Sequence, residues 1–263
     1  MESFNLTASD GRPYQVAMPD SNNDCSSAYI FAFHKSGSTL IQTLLQDYCS
    51  VIGVPTFSLF DSAFRQGIST EFVQGDASAC LNKAGYIFTG FRHFPHFEFD
   101  MKDRKAILLV RDPRDMLVSL YYSIKKSHPI PSADVKFRRQ RQDALEIDID
   151  EFVLKRRGLF ENAFREYMSA LSGSDLTVYR YEDVIYDKEA WLGDLVRTLS
   201  LNKIDSEIKA AAANADVIPD AEDQSKHIRQ VHPGNHKKKL EKKTIDFLNG
   251  YFADFMTEFG YDS

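Results

Sequence analysis

The chain has 263 residues, 43% of them hydrophobic and including 20 Phe and 12 Tyr, enough for one large globular domain with a substantial core. Its formal net charge of −6 argues against a general nucleic-acid binder, so any basic site must be local. Cys25, Cys49 and Cys80 are too far apart for a disulfide framework or a zinc pattern, and no stretch reads as a membrane span or secretory leader, so a cytoplasmic protein is expected.

Residues 1–27 are polar and carry Gly11, Pro13 and Pro19, which predicts an N-terminal arm or hairpin feeding the first core strand. Residues 29–33, Tyr-Ile-Phe-Ala-Phe, are a short apolar run with polar flanks, the pattern of a buried parallel strand. After His34-Lys-Ser-Gly-Ser-Thr39, residues Leu40, Ile41, Leu44 and Leu45 recur at helical spacing. Backbone N–H groups of such a turn, with the positive end of the helix dipole, make a site for a phosphate-like anion. Lys35 adds a full charge there, and Ser36, Ser38 and Thr39 add donors. The purine-nucleotide loop needs G-x-x-x-x-G-K-[ST], whereas this lysine precedes the only glycine, which argues against an ATPase or GTPase. A plain strand-to-helix turn, with Ser as N-cap and Lys as a surface charge, would also account for the stretch.

Residues 51–85 mix Phe57, Phe60, Phe64 and Phe72 with polar residues at no clean period, and only short helices and loops are expected. Residues 86–91 predict a second strand, followed at once by Arg92-His-Phe-Pro95. Residues 106–110 predict a third, ending in Arg111-Asp-Pro-Arg-Asp115 and a helix through Leu117, Leu120, Tyr121 and Ile124. Asp112 suits the N-cap of that helix, Pro113 its first position and Asp115 its third. Two basic strand-to-helix turns thus open at the carboxyl edge of a parallel sheet, where ligands bind. Residues 127–150 are charged and loop-like, either a mobile cover or a solvated insertion. Helices are expected over 150–171, 187–199, 203–215 and 242–259, a strand over 176–180, and an irregular stretch over 217–239. The order predicts an α/β fold of three layers around a central parallel sheet.

Taken together, these elements resemble the sulfotransferases that use 3′-phosphoadenosine 5′-phosphosulfate (PAPS), from about residue 28 to the C-terminus. Lys35-Ser-Gly-Ser-Thr39 looks like the family's 5′-phosphosulfate loop, a P-loop-like strand-turn-helix site. Arg111 with Ser119 matches its 3′-phosphate motif, and His93-Phe-Pro95 the element that carries its catalytic base. Tyr181, in Tyr179-Arg-Tyr-Glu-Asp183, matches a tyrosine that reaches the adenine. Arg229 to Gly234 resembles the segment that closes over the cofactor, here about 217–241 of a single domain spanning 1–263. The resemblance implies cofactor-binding roles for Lys35, Ser36, Gly37, Ser38, Thr39, Leu40, Arg111, Ser119, Tyr181, Arg229 and Gly234. It implies catalytic roles for His93 and Lys35. The chain departs from the family at Leu40, where many cytosolic members stack an aromatic on adenine. It departs again at Gln230-Val231, at His236 in place of a tryptophan, and at Phe91 in place of a catalytic lysine, with Arg92 next door.

What the resemblance implies is transfer of a sulfuryl group from PAPS to a hydroxyl or amine of a small-molecule acceptor, leaving 3′-phosphoadenosine 5′-phosphate (PAP). No metal, nucleic acid or membrane takes part; family members are often dimers, and some short ones tailor bacterial natural products. Such a transfer moves a charged group in line between two oxygens, so it needs cations at the leaving phosphate and a base on the far side. Lys35 and His93 have the right chemistry for those tasks. His93-x-x-His96, lacking a third ligand, does not make a metal site. Structural readings stand beside these: His93 capping a carbonyl, Arg111 and Asp112 in a salt bridge, Ser119 as a small packing residue. A nucleotide-dependent kinase or phosphotransferase would need a second loop glycine and an acidic metal-binding strand end. A non-catalytic PAP-binding module would not need His93.

Overall fold

In chain order, an antiparallel hairpin of β1 (Glu2–Ala8) and β2 (Pro13–Met18) leads into β3 (Ala28–Ala32) and α1 (Ser38–Ile52). Then come β4 (Thr56–Phe57), α2 (Leu59–Arg65), β5 (Val73–Gly75), α3 (Ala77–Leu81), β6 (Ile87–Phe91), β7 (Lys105–Val110) and α4 (Pro113–Tyr122). The second half holds α5 (Ile149–Arg156), α6 (Gly158–Ala170), β8 (Asp175–Arg180), α7 (Tyr181–Val184), α8 (Lys188–Thr198) and α9 (Asp205–Ala215). It ends with α10 (His236–Lys239), α11 (Lys242–Tyr251) and α12 (Ala253–Phe259). This computed structural model describes residues 1–8, 11–22, 25–68, 73–127, 141–142, 144–219 and 230–262.

β4, β6, β3, β7 and β8 form one parallel sheet in that order, as the α/β expectation requires. All five residues of the middle strand β3 are buried, because both of its faces are covered. Tyr29 and Phe31, with Phe33 just beyond, face a layer built by α4, α5, α6, α11 and α12, where they pack with Phe88, Leu108, Tyr167 and Phe255. Ala28, Ile30 and Ala32 face α1, α8 and α9, through Leu44, Leu192, Leu195 and Ile208. Side chains that alternate along one strand thus serve two cores, and the result is three layers. Much of the aromatic content goes into the first core: the Phe33 ring lies 5.1 Å from that of Tyr167 and 5.2 Å from that of Phe255. Among the described residues, no helix is long and apolar enough to cross a membrane.

Strand register positions the site. Ala32 pairs with Leu109, Val110 with Arg180, and Phe31 with Phe91. The chain therefore leaves β3, β7, β8 and β6 at one level, and brings the 34–37 turn, Arg111, Tyr181 and Arg92 to the same carboxyl edge. Asp112 caps α4 as expected, accepting from the Arg114 N–H at 2.9 Å, with Pro113 first in the helix.

The elements depart from expectation in several places, among them β4 within 51–85 and α10 within the stretch expected to be irregular. The helix expected over 150–171 is two, separated at Arg157, and the one over 242–259 is two, separated at the buried Phe252. Within 51–85, β5 pairs with β1, so the N-terminal hairpin becomes a three-stranded antiparallel sheet. A strand of three residues is too short to show a period. Of the 127–150 cover, residues 128–140 and 143 lie outside the described residues, as do 220–229 of the closing segment.

Candidate active site

A cavity of about 350 Å³ opens at this edge of the sheet, and Lys35, Gly37, Ser38, Thr39, Leu40, Arg111, Ser119 and Tyr181 all line it. One side is the first turn of α1. Its N-cap is Gly37, at φ 100°, and no side chain caps the helix. The first N–H groups of a helix have no partner one turn back, so this end presents donors and the positive pole of the dipole. Position 37 favours glycine: the backbone is left-handed, and a Cβ there would lie 3.0 Å from Tyr181 Cδ2. Lys35 is itself left-handed at φ 73°, and its Nζ donates to Ser123 Oγ at 3.1 Å.

Ser36 departs from the reading that gave it to the anion. Its hydroxyl is fully buried and donates to the Phe33 and Leu109 carbonyls at 2.7 and 3.1 Å. It stitches the turn to β7, and its side chain does not line the cavity.

The second side is Arg111, 6% exposed. Its guanidinium sits over the Tyr181 ring, 4.3 Å from the centroid, and 3.6 Å from the Asp115 carboxylate. Its Nε has no hydrogen-bond partner among the described residues, so a buried donor is left to be satisfied. Ser119, two turns along α4, lines the same space. Burial pushes the Tyr181 phenol up to about 12 against the pull of the Arg111 cation, so it is a neutral donor, and it donates to the Val231 carbonyl at 2.8 Å.

Val231 and Gln230, in the segment expected to close over the cofactor, line the cavity too, although they depart from the family pattern. Tyr181, Ile185 and Val231, with Leu40 against them, form an apolar cluster separate from both cores of the sheet. Gly234 does not line the cavity. Its N–H donates to Asp115 Oδ2 at 2.7 Å, so that group is committed inside the protein. Arg229 lies outside the described residues.

Asp115 also accepts from the His236 backbone N–H and Nδ1. Burial raises its acidity cost, but the His236 bonds and the Arg111 charge outweigh it and hold the carboxyl below its usual value. Near it, burial pushes the Glu182 carboxyl up while it accepts from the Asp112 N–H at 3.0 Å and the Tyr261 hydroxyl at 2.8 Å.

His93 is half-buried on the loop after β6 and is not among the residues lining the cavity. Its ring centroid lies 5.2 Å from that of Phe60 and 5.6 Å from that of His96, which it stacks on; His96 Nδ1 is 3.7 Å from Glu166 Oε1. Its neighbour Arg92 does line the cavity and donates from Nε to Ser38 Oγ at 3.3 Å. Lys188 and Asn214 are lining residues that sequence reasoning missed altogether, whereas Val217 begins the segment expected to close over the cofactor. A lysine at a helix start reads as a surface charge, and nothing in sequence signals that this one is buried.

The arrangement can hold two anionic groups, one at the α1 turn and one at Arg111 and Ser119, beside a flat apolar group. A family model described as a sulfotransferase domain matches residues 26–260. Among solved structures, retinol dehydratase in complex with androsterone and inactive cofactor PAP is 12% identical, with a TM-score of 0.53 over 91% of this chain and 82% of that one. Mouse sulfotransferase SULT7A1 complexed with PAP is 13% identical, with a TM-score of 0.49 over 90% of this chain and 85% of that one. A sulfotransferase from Alicyclobacillus acidocaldarius is 13% identical, with a TM-score of 0.42 over 94% and 98%. At 12% identity the likeness to the retinol dehydratase structure is one of fold. No curated protein sequence matches.

Proposed function

The chain belongs to the sulfotransferase domain family, and from that premise we propose that it moves the sulfuryl group of PAPS to a hydroxyl or amine of a small-molecule acceptor. The observation that carries this reading is that a single cavity joins the N-terminal turn of α1 to Arg111 and Ser119. Two anion subsites beside an apolar wall suit a nucleotide carrying separate 5′ and 3′ phosphates, the ligand that the retinol dehydratase structure holds. The unpartnered Nε of Arg111 is the specific sign of fit, since a buried guanidinium edge asks for an acceptor.

PAPS, when bound, supplies an activated sulfuryl group on a phosphate leaving group. Lys35 and the first N–H groups of α1 put positive charge beside that phosphate and stabilise the charge that grows on it. Ser38 and Thr39 hold the 5′ side, and Arg92, bonded to Ser38, adds a second cation there. Arg111 and Ser119 hold the 3′ phosphate. Tyr181, Leu40, Ile185 and Val231 enclose the base, with Gln230 beside them at the cavity. His93 takes the proton from the acceptor as its oxygen or nitrogen bonds to sulfur and the bond from sulfur to the leaving phosphate oxygen breaks. The Lys-before-Gly order of the turn counts against a kinase, which would draw on ATP and magnesium. Incubation with PAPS and mixed phenols, alcohols and amines tests the proposal. Acceptor-dependent release of PAP supports it, and phosphoryl transfer from ATP would overturn it.

A further inference from the structure

The cavity holds a cation that neither anion subsite employs. Lys188, the first residue of α8, has a side chain only 3% exposed, yet it is a lining residue beside Tyr181, Ile185 and Leu40. Its Nζ donates to the Ile185 carbonyl at 2.8 Å and to Asp216 Oδ1 at 2.5 Å. An ammonium has three N–H donors, so one is left over among the described residues. Asp216 is half exposed and is not among the lining residues, and its carboxylate neutralises Lys188. A charge already balanced in this way gains little from a second anion. Its spare donor instead suits a neutral acceptor on the rim of a flat ring, with the ring itself against the apolar cluster.

We propose that Lys188 is a specificity-determining residue whose third N–H donates to a ring nitrogen of the nucleotide's purine base. This rests on the nucleotide reading above. Because Ile185 and Asp216 fix the other two donors, the remaining one has a set direction, and it rewards a base with an acceptor at that edge.

Calorimetric titration of the wild type and Lys188→Met with PAP, and with the same sugar bisphosphate lacking a base, tests the proposal. Lys188→Met is expected to bind PAP about 10- to 100-fold more weakly and the base-free ligand within about two-fold of wild type. Equal weakening of both ligands, or of neither, overturns the inference. Because a buried substitution can unfold a protein, a second arm uses wild type alone, with PAP analogues in which one ring nitrogen at a time is replaced by C–H. One of them should lose about 10-fold; equal binding by all overturns the inference. If the wild type binds neither PAP nor the base-free bisphosphate, the functional reading itself falls, a result distinct from PAP binding that ignores Lys188.

Discussion

Asp115 on α4 holds His236 by two bonds, from its backbone N–H at 2.8 Å and its Nδ1 at 2.7 Å, across 121 residues of sequence. The same carboxylate accepts from the Gly234 N–H and lies 3.6 Å from the Arg111 guanidinium. One fully buried acid therefore links the proposed 3′-phosphate arginine to the segment that carries Gln230 and Val231 into the cavity. Asp115→Asn keeps the shape and removes the charge. We expect it to lower stability by about 1–3 kcal/mol and to weaken PAP about ten-fold. Thermal melts and calorimetry check this; a lower melting temperature with unchanged PAP affinity would show that Asp115 supports the fold alone.

The same group sets a dependence on acid. The folded Asp115 has a pKa below its ordinary 3.8, so it contributes stability that is fully present above that value. The contribution is lost as pH falls from there through the lowered folded value. Asn cannot titrate, so the stability gap between wild type and Asp115→Asn should be constant near neutrality and narrow below about pH 4. Urea midpoints from pH 7 to pH 3 measure it. A gap that widens in acid contradicts the network described here.

Gly37→Ala adds one methyl group at the left-handed N-cap of α1, aimed at a Tyr181 carbon 3.0 Å away. The expected cost is about 1–3 kcal/mol of stability, together with weaker PAP binding, because the turn and the tyrosine both move. A variant that binds and melts like wild type would mean that the close approach is not maintained in solution.

The architecture was legible because its signals are local. Residues 29–33 are apolar on both faces, Asp112-Pro113 ahead of an apolar helical period marks a helix start, and Lys35-Ser-Gly-Ser-Thr39 carries its chemistry in adjacent positions. What stayed hidden depends on distant partners. Ser36 looked like another anion donor because its tie to the Leu109 carbonyl is invisible until β3 and β7 pair. Likewise, nothing near His236 announces Asp115, and nothing near Lys188 announces Asp216. Residues 242–259 keep a helical period through Phe252, so the periodicity does not announce that the stretch divides there into two helices.

His93 stands apart from the cavity-lining residues, and that separation makes its role measurable. His93→Asn should lower kcat by about 10²–10⁴-fold while PAP affinity stays within about two-fold of wild type. Steady-state rates with a working acceptor, alongside a PAP titration, separate the two. Weaker PAP binding at unchanged kcat would move His93 from the acceptor side to the nucleotide site.

The central claim is that the α1 turn and Arg111 bind one 3′-phosphorylated nucleotide between them. Calorimetric titration of wild type, Lys35→Ala and Arg111→Ala with PAP, and in parallel with ATP and magnesium, tests it most directly. The account predicts tight binding of PAP that needs no metal and is weakened at least ten-fold by each substitution. Preference for ATP with magnesium, or PAP binding indifferent to both residues, would contradict it.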